Sequence, residues 1–203
     1  MQQLLTTLVK THELHAKWLN SLSFLENAGA RKISASEDTY AVSYLQLKHA
    51  AEEHRHAYYL KKQLKKLPIP FPETYEWNTL IAPVSTQQYL KKLDVLCGRY
   101  LKTVLGLEGR ELRYAAYLLV TYAIELRADV LYPIYQEVLD ANESKIMVKS
   151  IIIEEQGHLE EMISQLDSYL KDWNEHAYEI IKMEEMLFDE WIESIKGEIV
   201  QHE

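Results

Sequence analysis

Glu52-Glu53-His54-Arg55-His56 and Glu154-Glu155-Gln156-Gly157-His158 are the two stretches whose reading decides the fold. Each contains a Glu-x-x-His tetrad, Glu53–His56 and Glu155–His158, with a further acid directly before it. On a helix, positions i and i+3 share one face, so both ligand-type side chains of a tetrad project the same way. Each tetrad sits in an apolar run of helical period, and each is preceded by a lone Glu in another such run. Glu26 lies 27 residues before Glu53, and Glu125 lies 30 before Glu155. In a chain with 24 Glu and 8 His, two tetrads alone carry little weight. Their order carries more: acid, tetrad, acid, tetrad reads as a doubled helix hairpin. Four carboxylates and two imidazoles so arranged are a ligand set for a dinuclear metal centre inside a four-helix bundle.

Working outward, the composition allows such a bundle. The 203 residues suit one domain with a core large enough to fold alone. Only 6 Gly and 5 Pro interrupt the chain, which favours long helices. The 14 Tyr suit a helical interior with polar handles, mostly as packing residues. A net charge of −9 argues against a general nucleic-acid binder. Lys61-Lys62 and Lys65-Lys66 form a local basic cluster, but they fall in the last turns of a helix, where they complement its dipole. Cys97 is alone, so neither an internal disulfide nor a Cys-based iron site can be built, and a reducing, cytoplasmic setting is expected. The first residues lack the basic and apolar regions of a secretory signal, and no apolar run approaches membrane-spanning length.

The periodicity predicts an all-α domain over residues 1–203. Its core helices fall at about 4–35, 37–66, 110–139 and 143–170, with a crossover over 67–109 and a C-terminal helix over 173–200. Ser34 and Glu37 have the spacing of a capping box opening the second helix. Pro68, Pro70 and Pro72 end that helix, a shorter helix follows over about 86–104, and Gly106 and Gly109 break it. Pro133 predicts a kink in the third core helix.

Facing residues of a helix hairpin lie about equally far from its turn. With a turn near residue 141, Glu125 and Glu155 are nearly level. With a turn at 35–36, Glu53 lies about 12 Å beyond Glu26, too far to share a site. The offset shrinks if the first helix continues to Ser36 and the turn centres near Asp38. An earlier turn would instead place His15 or Glu13 opposite Glu53. Glu26 is the first candidate and His15 its rival.

This pattern resembles the ferritin-like di-iron carboxylate superfamily, which includes ferritins, rubrerythrins, ribonucleotide reductase small subunits and aldehyde-deformylating oxygenases. The resemblance covers the four core helices and implies a ferritin-like bundle with additional helices. It implies that Glu53 and Glu155 bridge two Fe ions, with Mn as an alternative. Glu26 and Glu125 would be terminal ligands, and His56 and His158 would supply one imidazole to each metal. The short Glu26 interval departs from the usual pattern.

Carboxylates with imidazole suit redox-active iron or manganese. Each His requires an acceptor for its other ring nitrogen, and Asp129, one turn after Glu125, is a candidate. Glu52 and Glu154 read as surface acids, and His12, His49, His54, His176 and His202 as structural or surface residues. Tyr122 and Tyr132 are candidates for an electron or proton donor beside the metals. The leading functional expectation is an oxidase or oxygenase that uses O2 or peroxide on a small or carrier-tethered organic substrate. An external electron donor would be needed, no membrane partner is expected, and a homodimer is compatible. The alternatives are an iron storage or detoxification protein and a non-enzymatic helical interaction module.

Overall fold

The computed structural model describes residues 1–202, and the side chains of Gln201 and His202 lie outside the described part. Among the described residues there are seven α-helices and no strand. They are α1 (Gln2–Lys10), α2 (His12–Ser36), α3 (Tyr44–Leu64), α4 (Pro83–Val104), α5 (Gly109–Ala141), α6 (Lys149–Tyr169) and α7 (Trp173–His202). A short 3-10 turn, Trp77–Thr79, lies between α3 and α4. The chain is all-α, as its periodicity predicts, and no described helix is long and apolar enough to cross a membrane.

Helices α2 and α3 form one antiparallel hairpin. Gln46 donates to the carbonyl of Ile33 and Ser23 to that of Ala57, so Glu26 and Glu53, between these two rungs, face each other. Helices α5 and α6 form the second. Tyr114 pairs with Gln165 near one end, Gln136 accepts from the Val148 amide near the other, and Glu125 and Glu155 lie between. The hairpins meet along α3 and α6, which also run antiparallel: Glu161 contacts Lys48 and His49, Glu52 contacts His158, and Glu154 contacts Arg55 and His56. It follows that α3 and α5 run the same way. The chain must therefore return along the bundle between them, and α4 makes that return, at 22 residues about 33 Å long.

Helices α4 and α7 add a second layer against α2 and α5. Trp191 of α7 stacks on Trp18 of α2 and on Tyr89 of α4, with ring centroids 5.4 and 5.7 Å apart, and its indole N–H donates to Thr86. Buried Ile180, Leu187, Phe188 and Ile195 continue this contact, so the C-terminal helix covers one side of the bundle. The crossover is pinned through Lys61. Its ammonium donates to Asn20 of α2 and to the carbonyls of Glu73 and Thr74, and it lies over the Tyr75 ring. Burial lowers Lys61 to about 8. This lysine is a staple, not part of a basic surface.

Four expected boundaries differ. The first helix is two: Thr11 is extended (φ −108, ψ 106), and α1 turns aside to pack on α2 and α5 through Leu4, Leu5 and Leu8. Ser34 and Glu37 form no capping box, because α2 continues through Ser36. Helix α3 begins later than residue 37, capped by Ser43, whose hydroxyl accepts from the Gln46 amide. Asp38 instead organises the loop by accepting from Tyr40 and Ala41. Helix α6 begins at Lys149, not 143. Glu143 adopts φ 51 and Ser144 donates back to Leu139, which closes the end of α5. Gly106 and Gly109 both adopt positive φ, the conformation that separates α4 from α5.

Candidate metal centre

Six side chains from four helices converge in the core. Glu26 of α2, Glu53 and His56 of α3, and Glu155 of α6 bring one ligand atom each to within 4.8 Å of one another. Glu53 and Glu155 also belong to a second group with Glu125 of α5 and His158 of α6, on the same criterion. The two groups thus overlap in Glu53 and Glu155. Two candidate ligand groups that share two carboxylates have the arrangement a bridged pair of cations would need.

His56 Nδ1 lies 3.0 Å from Glu155, 3.9 Å from Glu26 and 4.0 Å from Glu53. His158 Nδ1 lies 3.4–3.6 Å from Glu155, Glu53 and Glu125. None of these approaches makes an aligned hydrogen bond. His56 Nδ1, His158 Nδ1, Glu125 Oε2 and both oxygens of Glu155 are buried and unpartnered. Buried polar atoms without partners carry a large desolvation cost. Here five of them point at one small volume, and their chemistry, carboxylate oxygen plus imidazole nitrogen, fits a pair of first-row transition-metal ions.

The electrostatics match that arrangement. Burial, then the neighbouring Glu26, Glu155 and Glu125, pushes Glu53 well above the usual carboxylate range. Burial and Glu155 do the same to Glu125. Burial also acts against charge on Glu155, but contacts with Glu125, His158 and His56 outweigh it and hold Glu155 low. Burial lowers the two imidazoles, yet Glu155 and its neighbours overcome this and raise both to about 9. Without a cation, the raised imidazoles and the raised Glu53 and Glu125 favour their protonated forms.

The other ring nitrogens are fixed by a reciprocal exchange between α3 and α6. His56 Nε2 meets Glu154 at 2.7 Å, and His158 Nε2 meets Glu52 at 2.8 Å. Arg55 bridges these acids, 2.6 Å from Glu154 and 3.6 Å from Glu52. Partial burial works against charge on Glu154, but Arg55 and His56 hold it below the usual range. Glu52 and Glu154 are therefore histidine anchors, not the surface acids that the sequence implies, and they take the place expected of Asp129. The signal was the doubled acid in each tetrad: Glu52 is one turn before His56, yet it serves the histidine of the opposite helix. His49 was also missed. It bonds Glu161 at 2.8 Å, approaches the Tyr117 hydroxyl at 3.3 Å, and its ring lies 5.0 Å from that of His158.

Glu26, not His15, reaches the cluster. Helix α2 runs to Ser36 and the turn falls near residue 40, which removes the register offset. His15 is buried elsewhere, 2.6 Å from the Tyr135 hydroxyl, and burial lowers it to about 4. The two candidate tyrosines separate. Tyr132 is buried and its hydroxyl donates to Glu26. Tyr122 packs edge-on against Trp173, 5.2 Å between centroids, and is not at the cluster.

One face of the cluster opens on a cavity of about 350 Å³ between α2, α4, α5 and α7. Glu26, Glu53, Glu125 and Glu155 line it, as does Tyr132, while His56 and His158 do not. No family model matches this chain, and no curated protein or solved structure shows significant similarity to it.

Proposed function

We propose that this chain is a ferritin-like di-iron carboxylate protein and an oxidoreductase that acts on an organic substrate with O2 or peroxide. The observation that carries the reading is the pair of overlapping ligand groups, joined through Glu53 and Glu155 and furnished with five unpartnered buried atoms. Two iron ions, or iron with manganese, would supply redox chemistry toward O2 or peroxide. Glu53 and Glu155 would bridge, Glu26 and Glu125 would be terminal, and His56 and His158 would bind one ion each through Nδ1.

The chain's own residues divide the remaining work. Glu154 and Glu52 orient the imidazoles and raise their basicity. Tyr132 holds one oxygen of Glu26 and so fixes which oxygen faces the cluster. The apolar walls of the cavity exclude water and leave the four carboxylates as the chemistry a substrate meets. The same walls favour this reading over iron storage, since hydrated cations travel along acidic paths, not apolar ones. Reductant comes from an external donor.

Elemental analysis after iron-supplemented expression tests the proposal. Two equivalents per chain are expected, with O2 uptake that stops near stoichiometry when no electron donor is supplied. Less than half an equivalent, with no uptake on reconstitution, would overturn it. A cage-sized particle that mineralises iron would return the storage reading.

A further inference from the structure

We infer that the outward face of α3, with the adjoining face of α6, is an interface between two copies of this chain, which pair antiparallel along α3 about a two-fold axis at Ala51. The inference does not rest on the proposed chemistry.

Tyr44, Leu47, Ala51, His54 and Tyr58 recur along α3 at intervals of three and four residues. That is the spacing of a helix that packs lengthwise on another helix. Within the chain, α3 packs through its other face, which carries Glu53, His56 and Leu60 into the core. The outward stripe is left open: Tyr44 is 84% exposed, Leu47 48% and Tyr58 65%. Ile153 of α6, 72% exposed, precedes Glu154, which meets Arg55, so it stands near the Tyr58 end of the stripe. Large apolar side chains scattered singly over a surface need no explanation, but a row of them at helical spacing does.

The stripe is complementary to itself. Tyr44 and Tyr58 lie seven residues either side of Ala51, and Leu47 and Arg55 lie four. A second α3 reversed about Ala51 therefore sets Tyr44 against the second copy's Tyr58, Leu47 against the stem of its Arg55, and the small Ala51 against itself. Charge favours the same direction. Lys62, Lys65 and Lys66 crowd the C-terminal end of α3, and of these only Lys65 makes an ion pair among the described residues. Glu37 and Asp38 precede the N-terminal end, Asp38 shared with Arg110. Antiparallel pairing lays basic end on acidic end, whereas parallel pairing lays like on like.

Gly157 is an independent sign. It is exposed in the middle of α6, directly before His158, which reaches Glu52 across the seam, so it is nearly level with Ala51. Glycine weakens a helix interior. A Cβ at Gly157 would meet nothing within 4 Å, so nothing inside the fold requires the residue to be small. A second copy approaching at the axis does. In the dimer the second copy's Leu47 covers the half-exposed Arg55, and with it the solvent side of the acids that hold His56 and His158.

Sedimentation equilibrium of the full chain at micromolar concentration, in chelator-treated and iron-loaded forms, is the first test, and a dimer is expected in both. Ala51→Arg opposes two cations on the axis. It should weaken the dimer by about tenfold or more with helicity unchanged, because residue 51 is exposed. Crosslinking tests the register. Ala51→Cys meets its own copy and should form an intermolecular disulfide under mild oxidation, without competition from Cys97, which is buried. Leu47→Cys would stand about 12 Å from its own copy, beyond disulfide reach, and should not link. Tyr44→Cys mixed with Tyr58→Cys should link as a mixed pair. A monomer at every concentration, or a dimer that Ala51→Arg leaves intact, would overturn the interface. Leu47→Cys linking as readily as Ala51→Cys would overturn the antiparallel register. A dimer that takes up no metal would sink the proposed function alone; a monomer that takes up metal would sink this inference alone.

Discussion

The two faces of the cluster are built on opposite principles. Toward α2, α4, α5 and α7 it presents carboxylates to a largely apolar cavity. Toward solvent, along the seam of α3 and α6, it is closed by charge: Lys48, Glu52, Arg55, Glu154 and Glu161 tie the helices together behind the imidazoles. The hairpins α2–α3 and α5–α6 pack closely, while α3 and α6 approach each other chiefly through these long side chains. The cluster is thus held in place from the charged face and reached from the apolar one.

The largest expected effect comes from the shared carboxylates. Glu155→Ala removes a ligand from both groups and should reduce metal from two equivalents to below half, with helicity by circular dichroism retained. Glu26→Ala removes a ligand from one group only and should leave about one equivalent. If Glu26→Ala and Glu155→Ala lose metal equally, the two positions fill as one unit, and the overlap of ligand groups does not describe the occupied site.

The charged face should matter less and in a graded way. Glu154→Gln and Glu52→Gln keep the shape but weaken the acceptors of His56 and His158. Metal affinity should fall about 10- to 100-fold for each, read by competition with a chelator of known affinity. No change would mean that the exchange between α3 and α6 is not what orients the imidazoles.

Proton linkage gives a prediction for the metal-free protein. His56 and His158 are raised to about 9, so the stability they contribute is full below about pH 6.5 and is lost as pH rises through 9. Glu53 and Glu125, raised by burial and by each other's company, act with the same sign once pH passes the ordinary carboxylate range. The metal-free melting temperature should therefore fall between pH 6.5 and 9.5. Metal binding needs deprotonated ligands, so the metal-loaded protein should fall less over the same range. A metal-free melting temperature that is flat with pH would contradict the protonated cluster.

The smallest effect is expected at Lys48, about one-third exposed, whose ammonium lies 2.6 Å from Glu161. Lys48→Ala should cost no more than about 1 kcal/mol in chemical denaturation, as for surface ion pairs generally. A larger cost would show that the seam is an essential clamp and not a set of individually weak ties.

Much of the ligand geometry is local and can be read along the chain. His56 follows Glu53, and His158 follows Glu155, by one helical turn, and that spacing needs no tertiary information. The register of the first hairpin was less accessible. It depends on where α2 stops, and Gly29, Ser34 and Ser36 gave no reason to run the helix as far as it goes. What extends it is the opposite helix, since Gln46 donates to both the Ile33 carbonyl and the Ser36 hydroxyl. The same tertiary contact settles Glu26 over His15 as the side chain facing Glu53. Tyr122 and Tyr132 illustrate the limit from the other side. They lie ten residues apart on α5 and are chemically alike, yet one meets Trp173 and the other Glu26.

By itself the sequence determined the all-α character, the two tetrads and the ligand-type chemistry of six side chains, because helical period and residue type are properties of near neighbours. Tertiary structure alone decided that Glu53 and Glu155 stand in both ligand groups, that Glu52 and Glu154 serve each other's histidines, and that a largely apolar cavity opens on the carboxylates. Those facts depend on distances between helices that are up to a hundred residues apart in the chain, and such distances are set by how the hairpins pack.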